Sequence, residues 1–186
     1  VNRALRTLAE IGLLDRRRKA GTRVALHPVS KATLSIPLIR NEIEASGKLY
    51  GYHLISQKAE PAPALVTKQF ALKADAPLRH VIALHMADST PYVLESRWIN
   101  SSVMPHLADV SFTKLSANEW LLRNTPFTHG DIVFGAKNAS QFEAVHLATK
   151  PDTALFVISR TTWDHDTAVT MVDLVFHAGH RKHTQL

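Results

Sequence analysis

RHVIALHM at residues 79–86 and YVLESRWIN at residues 92–100 are two strand-like runs separated by five residues, Ala87-Asp88-Ser89-Thr90-Pro91. A connection that short suits a hairpin and cannot hold a crossover helix, so the two strands run antiparallel. LFVISRTTW at 155–163 and AVTMVDLVF at 168–176 repeat the arrangement around Asp164-His165-Asp166-Thr167. Two such hairpins predict a mainly antiparallel sheet. Residues 103–108, 118–124 and 139–148 between them have helical character, with a strand at 132–136, and 49–56 and 64–71 read as further strands. The class is α+β, with covering helices on the sheet.

Side-chain alternation gives the first hairpin two unlike faces. If Met86 pairs with Tyr92, then Arg79, Val81, Ala83 and His85 share a face with Val93, Glu95, Arg97 and Ile99. Ile82, Leu84, Met86, Tyr92, Leu94 and Trp98 fall on the other, as a core face requires. His85, Glu95 and Arg97 among small apolar residues suit a pocket for a polar, anionic molecule. The same pattern also describes a solvated outer face with a cross-strand ion pair. A slip of one residue would exchange the faces.

Upstream, Ile36-Pro37 opens a helix carried by Leu38, Ile39, Glu42 and Ile43 and ended by Gly47. Downstream, Ser116-Ala117-Asn118-Glu119 is an S-x-x-E box, with Ser116 the N-cap and Glu119 its reciprocal partner. A helix start also offers N–H groups to an anion. His27 to Leu34 is polar, contains Pro28 and has no sustained period, so residues 28–35 read as a linker.

Ahead of the linker, VNRALRTLAEIGLLDRRRKAGTRVALH carries seven basic and two acidic residues, and so +5 of the chain's net charge of +6. On a helix, Val1, Ala4, Leu5, Leu8 and Gly12 fall on one side, and Asn2, Arg3, Arg6 and Glu10 on the other. Residues 13–19 and 23–26 then read as a basic hairpin turning at Ala20-Gly21-Thr22. A polar-faced helix followed by a basic hairpin is the second half of a winged helix-turn-helix. Asn2, Arg3 and Arg6 reach base edges, while Arg16, Arg18, Lys19, Gly21 and Thr22 ride the phosphates. Because the sequence starts inside the helix, the expected organisation is a truncated DNA-binding module (1–27), a linker (28–35) and a second domain (36–186).

VNRALRTLAEIGLLDRRRKAGTRV resembles the recognition helix and wing of GntR-family bacterial transcription regulators. IPLIRNEIEASGKLYGYHLIS, PYVLESRWIN, SANEWLL and LFVISRTTW resemble the effector-binding (UTRA) domain of its HutC subfamily, which includes histidine-utilisation repressors. The resemblance covers nearly the whole chain, through the order and spacing of these motifs. It implies a chorismate-lyase-like fold and an effector site at the 116–119 helix start and the central strands. Carried over by position, that site comprises His85, Glu95, Arg97, Ser116 and Asn118. Arg160 stands at the family's recurrent strand arginine, either as an ion-pair partner or as a ligand contact. The implied effector is urocanate or a related carboxylate, and the implied partners are operator DNA and a second copy. Where family members carry Pro-Gly and an aromatic near the closing strand, this chain reads His177-Ala178-Gly179-His180-Arg181-Lys182.

Composition bounds the alternatives. Of 186 residues, 45% are hydrophobic and 20% charged, enough for a real core. No apolar run nears membrane-spanning length and no signal-peptide pattern is present, so the expectation is a cytoplasmic protein without a membrane partner. The absence of cysteine removes thiol catalysis, disulfides and Cys-based zinc sites. His177, His180 and His183 recur every third residue, but after a strand they read as a solvated tail and not as a metal site. No nucleophile–base pair stands at a diagnostic spacing, so no catalytic residue, metal or cofactor is expected. Two competing readings are a chorismate-lyase-like enzyme and a DNA-binding protein whose second domain only dimerises it.

Overall fold

The computed structural model describes residues 14–17, 21–24, 38–72 and 77–182. The chain divides into two compact units, Val1–Pro37 and Leu38–Leu186.

In the first unit, β1 (Leu14–Arg17) and β2 (Gly21–Val24) pair antiparallel, with Leu14 opposite Val24, Arg16 opposite Thr22 and Arg17 opposite Gly21. The basic hairpin is therefore present, but Gly21 and Thr22 belong to the return strand. Asn2, Arg3, Arg6, Arg18 and Lys19 lie outside the described residues.

The second unit is a six-stranded antiparallel sheet in the order β3-β4-β5-β8-β7-β6. Its strands are β3 (Tyr50–Pro61), β4 (Pro77–Ala87), β5 (Thr90–Ile99), β6 (His129–Asn138), β7 (Ala154–Asp164) and β8 (Thr167–Phe176). Helices cover both faces. On the first lie α1 (Ile39–Ala45) and α3 (Ala117–Asn124), with two short 3-10 turns at Ser101–Val103 and Pro105–Asp109; on the second lie α2 (Ala64–Gln69) and α4 (Gln141–His146). None of the described helices is long and apolar enough to cross a membrane.

At seven residues, α1 is too short to persist alone. Ile39 and Ile43, one turn apart, bury against Val93, Val172, Leu174 and Phe176, each burial stabilising by about 1.5–3 kcal/mol. Gly47 stands at φ +78°, where a side chain would be strained.

Residues 64–69 correct a strand expectation. Val66 and Phe70 are buried, and their spacing fits strand and helix alike. Thr67 is also buried whereas Leu65 and Lys68 are exposed, a helical pattern that Pro63 introduces at the N-cap. A run this short cannot choose its period until a surface is offered to it.

The β4–β5 hairpin turns at Asp88 and Ser89, both with positive φ as a two-residue hairpin turn requires. Ala87 then pairs with Thr90 and Met86 with Pro91, not with Tyr92. Tyr92 is the bulged residue, and it joins the cluster under α1 instead of the face of Ile82 and Leu84. Beyond the bulge His85 pairs with Val93, Ala83 with Glu95 and Val81 with Arg97, so the polar set stays together.

Candidate functional site

The polar face of the hairpin is covered and is not an outer surface. His85, Glu95 and Arg97 are each 1% exposed, and Asn118 and Arg160 are buried with them. Register explains the assembly. Arg97 lies opposite Val172 of β8, and Val172 lies opposite Arg160 of β7, so the two arginines stand in one row with a small side chain between them. Above that row α3 brings down Asn118.

The groups form one chain of hydrogen bonds. Tyr50 Oη lies 2.9 Å from His85 Nδ1, and His85 Nε2 lies 2.9 Å from Glu95 Oε2. An ionised carboxylate only accepts, so His85 Nε2 carries a proton and donates it to Glu95. Arg97 Nε donates to Glu95 Oε1 at 2.5 Å, its Nη1 to Thr170 Oγ1 at 3.3 Å and its Nη2 to Asn118 Oδ1 at 3.2 Å. Arg160 Nη2 donates to the same Asn118 oxygen at 2.8 Å.

The charges do not balance. Burial pushes the Glu95 carboxyl up, but the Arg97 charge and the His85 hydrogen bond outweigh it and hold the group well below the usual carboxylate range. Glu95 therefore neutralises Arg97. Arg160 has no carboxylate partner among the described residues; burial and the Arg97 charge push its guanidinium down to about 9, still protonated at neutral pH. Its Nε is buried without a hydrogen-bond partner, as are Tyr52 Oη and Thr162 Oγ1. Tyr52 pairs with His85 across β3 and β4, with ring centroids 5.3 Å apart, and Thr162 follows Arg160 on the same face of β7. Buried polar atoms in native proteins are rarely left unpaired, and these accompany an excess positive charge. The arrangement suits an anion.

Residues 45–182 match the UTRA domain. The chain belongs to the UTRA family. A histidine utilization repressor of Pseudomonas aeruginosa is 29% identical over 181 residues, covering 97% of this chain and 72% of its own length. The C-terminal domain of the histidine utilization repressor from Pseudomonas syringae pv. tomato has a TM-score of 0.69 at 24% identity, over 74% of this chain and 99% of that one. PhnF from Mycobacterium smegmatis has a TM-score of 0.68 at 20% identity, over 95% and 79%. At such identities the two structures carry the fold alone, and they bear out the α+β, UTRA-type sheet. The repressors bear out the HutC-like resemblance.

Within this UTRA domain Ser116 has a structural role. Its Oγ accepts from Glu119 N at 3.3 Å and caps α3. Glu119 does not return the bond to the Ser116 backbone, as an S-x-x-E box predicts; Arg40 Nε donates to its carboxylate at 3.1 Å, with Arg123 at 3.8 Å. The complete capping box is at Ser140 and Glu143 of α4. Arg40 also stacks on the Tyr50 ring, 4.2 Å from its centroid. Tyr50 and Tyr52 escaped the sequence reading although their alternation in LYGYHL places both on one strand face; nothing in the sequence says that β3 lies beside β4. Arg40, Thr162 and Thr170 carried no signal.

A cavity of about 490 Å³ opens on the second face, between α4 and strands β4 to β8. Its polar groups satisfy one another: Ser159 Oγ donates to Asp173 at 2.6 Å and Lys137 Nζ to Glu143 at 2.7 Å. With two carboxylates against one lysine it disfavours an anion, so the arginine cluster is the better candidate.

The histidine tail is corrected. The turn at Gly179 returns His180 onto Phe176, with ring centroids 4.1 Å apart, and its Nε2 is buried. Burial pushes its pKa down to about 4. Lys182 and Tyr92 both bond Glu42 of α1. His183 lies outside the described residues; among those described, no three His, Asp or Glu side chains gather as metal ligands do.

Proposed function

We propose that this chain is the sensing part of a cytoplasmic bacterial transcription regulator, a repressor, whose UTRA domain binds a small carboxylate and whose residues 1–27 meet operator DNA, with 28–35 as the linker. The relatives named as histidine utilization repressors support the class. The observation that carries the ligand chemistry is Arg160, a buried cation whose Nε–H is unpartnered. A carboxylate placed there takes that N–H and supplies the charge that Glu95 does not. Urocanate joins a carboxylate to an imidazole, and the unpartnered Tyr52 hydroxyl is a polar group for its ring. His85, Glu95, Arg97, Ser116 and Asn118 position the contact.

Catalysis is disfavoured on physical grounds. Proton transfer at neutral pH needs a group with a pKa near 7, and Glu95 is held ionised far below it. Repression further requires a dimer, two DNA-binding modules meeting two half-sites, and an effector that binds its two states unequally.

Thermal denaturation with urocanate, histidine and related acids tests this. A ligand that binds the native state adds about 2.7 kcal/mol of stability at a hundredfold its Kd and so raises the melting temperature, and Arg160→Ala removes the shift. If no carboxylate moves the midpoint, the effector class is wrong and a purely dimerising domain remains. Gel-shift titrations with operator DNA and urocanate test the coupling to DNA.

A further inference from the structure

β8 runs through the interior of the sheet, with β5 on one side and β7 on the other. Aspartate is disfavoured inside a strand, yet Asp173 stands there, opposite Ser96 of β5 and Ser159 of β7. These residues form a row on the second face. One position along each strand, on the first face, runs the row of Arg97, Val172 and Arg160. Among the described residues Arg160 has no carboxylate partner and Asp173 has no cationic one. Successive residues of a strand point to opposite faces, so these two unbalanced charges do not meet through the sheet. Each is left for something else.

Ser96, Asp173 and Ser159 all line the cavity of about 490 Å³, a volume that suits a small organic molecule. Ser159 Oγ donates to Asp173 Oδ1 at 2.6 Å, and among the described residues no donor reaches Oδ2. Ser96 Oγ lies 3.0 Å from His80 Nε2 and keeps a lone pair for a further donor. Ile82, Leu94, Val157 and Val175 make the wall apolar, and Phe142 of α4 adds a ring. Lys137 pairs with Glu143 at 2.7 Å, so the lining's two carboxylates and one lysine leave a net negative charge at Asp173. No three metal-ligating side chains gather among the described residues, which turns the charge toward an organic cation. We propose that this cavity is a second ligand site, for a small primary ammonium with an apolar body. The ammonium donates to Asp173 Oδ2 and Ser96 Oγ, and the body lies along Leu94, Val157 and Val175. A partly buried carboxylate attracts such a cation more strongly than one in open water. The site shares no side chain with the arginine cluster and does not rest on the carboxylate effector.

Isothermal titration calorimetry with butylamine, phenethylamine and histamine tests the site, with phenethyl alcohol as the same body without the charge. At least one amine should bind saturably, and phenethyl alcohol about tenfold more weakly than phenethylamine. Asp173→Asn keeps an acceptor for Ser159 Oγ, so its circular dichroism should be unchanged while amine affinity falls about tenfold. Saturating urocanate should leave the amine bound. If no amine binds at millimolar concentration, the site is overturned. Undiminished affinity in Asp173→Asn puts the amine elsewhere and overturns the assignment. Equal binding of the alcohol overturns the recognition of charge, and an equal response to calcium chloride overturns the organic class. Urocanate-dependent melting is read separately, so the amine site and the carboxylate site stand or fall on different measurements.

Discussion

Arg97 and Arg160 share a single acceptor: both Nη2 groups donate to Asn118 Oδ1, at 3.2 and 2.8 Å. Two buried guanidiniums converging on one neutral oxygen is an arrangement with charge to spare. Substituting aspartate places a permanent carboxylate where a ligand would bring one. Asn118→Asp should therefore raise the melting temperature of the free protein and abolish its response to carboxylates. Asn118→Ala, which strands two donors, should cost about 1–3 kcal/mol in urea denaturation. An Asn118→Asp variant that still responds to urocanate would refute the charge argument.

Glu95 neutralises Arg97 at 1% exposure. Removing one member of a buried pair leaves the other uncompensated, so Glu95→Gln should destabilise by about 3–5 kcal/mol. The pH dependence has a definite sign. The folded pKa lies below the ordinary 4.5, so this contribution is complete above that value and is lost as the pH falls below it. Chemical denaturation at a series of acid pH values should show a smaller loss for Glu95→Gln than for the parent.

His180 titrates the other way round from a salt-bridged histidine. Its folded pKa is about 4 against an ordinary 6.5, so the unfolded chain takes the proton first. Stability from this residue is full above about pH 6.5 and falls as the pH drops toward 4. His180→Phe keeps the stack on Phe176 and should flatten the melting curve's pH dependence in that window. An unchanged slope would mean that the ring is not held as described.

For DNA, the wing and the helix should respond differently. Losing Arg16, Arg18 or Lys19 should weaken binding to all sequences, each true phosphate contact lowering the salt slope by about 0.9. Arg3→Ala or Arg6→Ala should weaken the operator selectively. Fluorescence anisotropy at several salt concentrations separates these outcomes.

Much of the fold was legible because it rests on local rules. The two hairpins follow from connections too short for a helix, and α1 and α3 from capping and period. The 64–69 helix was not legible, since Val66 and Phe70 fit both periods and only the surface beneath them decides. Tyr92 was misplaced for a related reason: a bulge adds one residue that alternation cannot anticipate.

For the site, alternation put His85, Glu95 and Arg97 on one face whichever way that face turned out to point. Whether it met water or protein depended on α1 and α3 closing over it, which no local pattern encodes. Strand order decided the rest. The sequence by itself determined the antiparallel class, the basic N-terminal hairpin and the polar set of the central strands, because these depend on neighbours within a few residues. Tertiary structure decided that Arg160 joins Arg97 across β8, that Tyr52 lies against His85, and that β6 is left as an exposed edge. Those relations span tens of residues and are fixed only when the sheet packs.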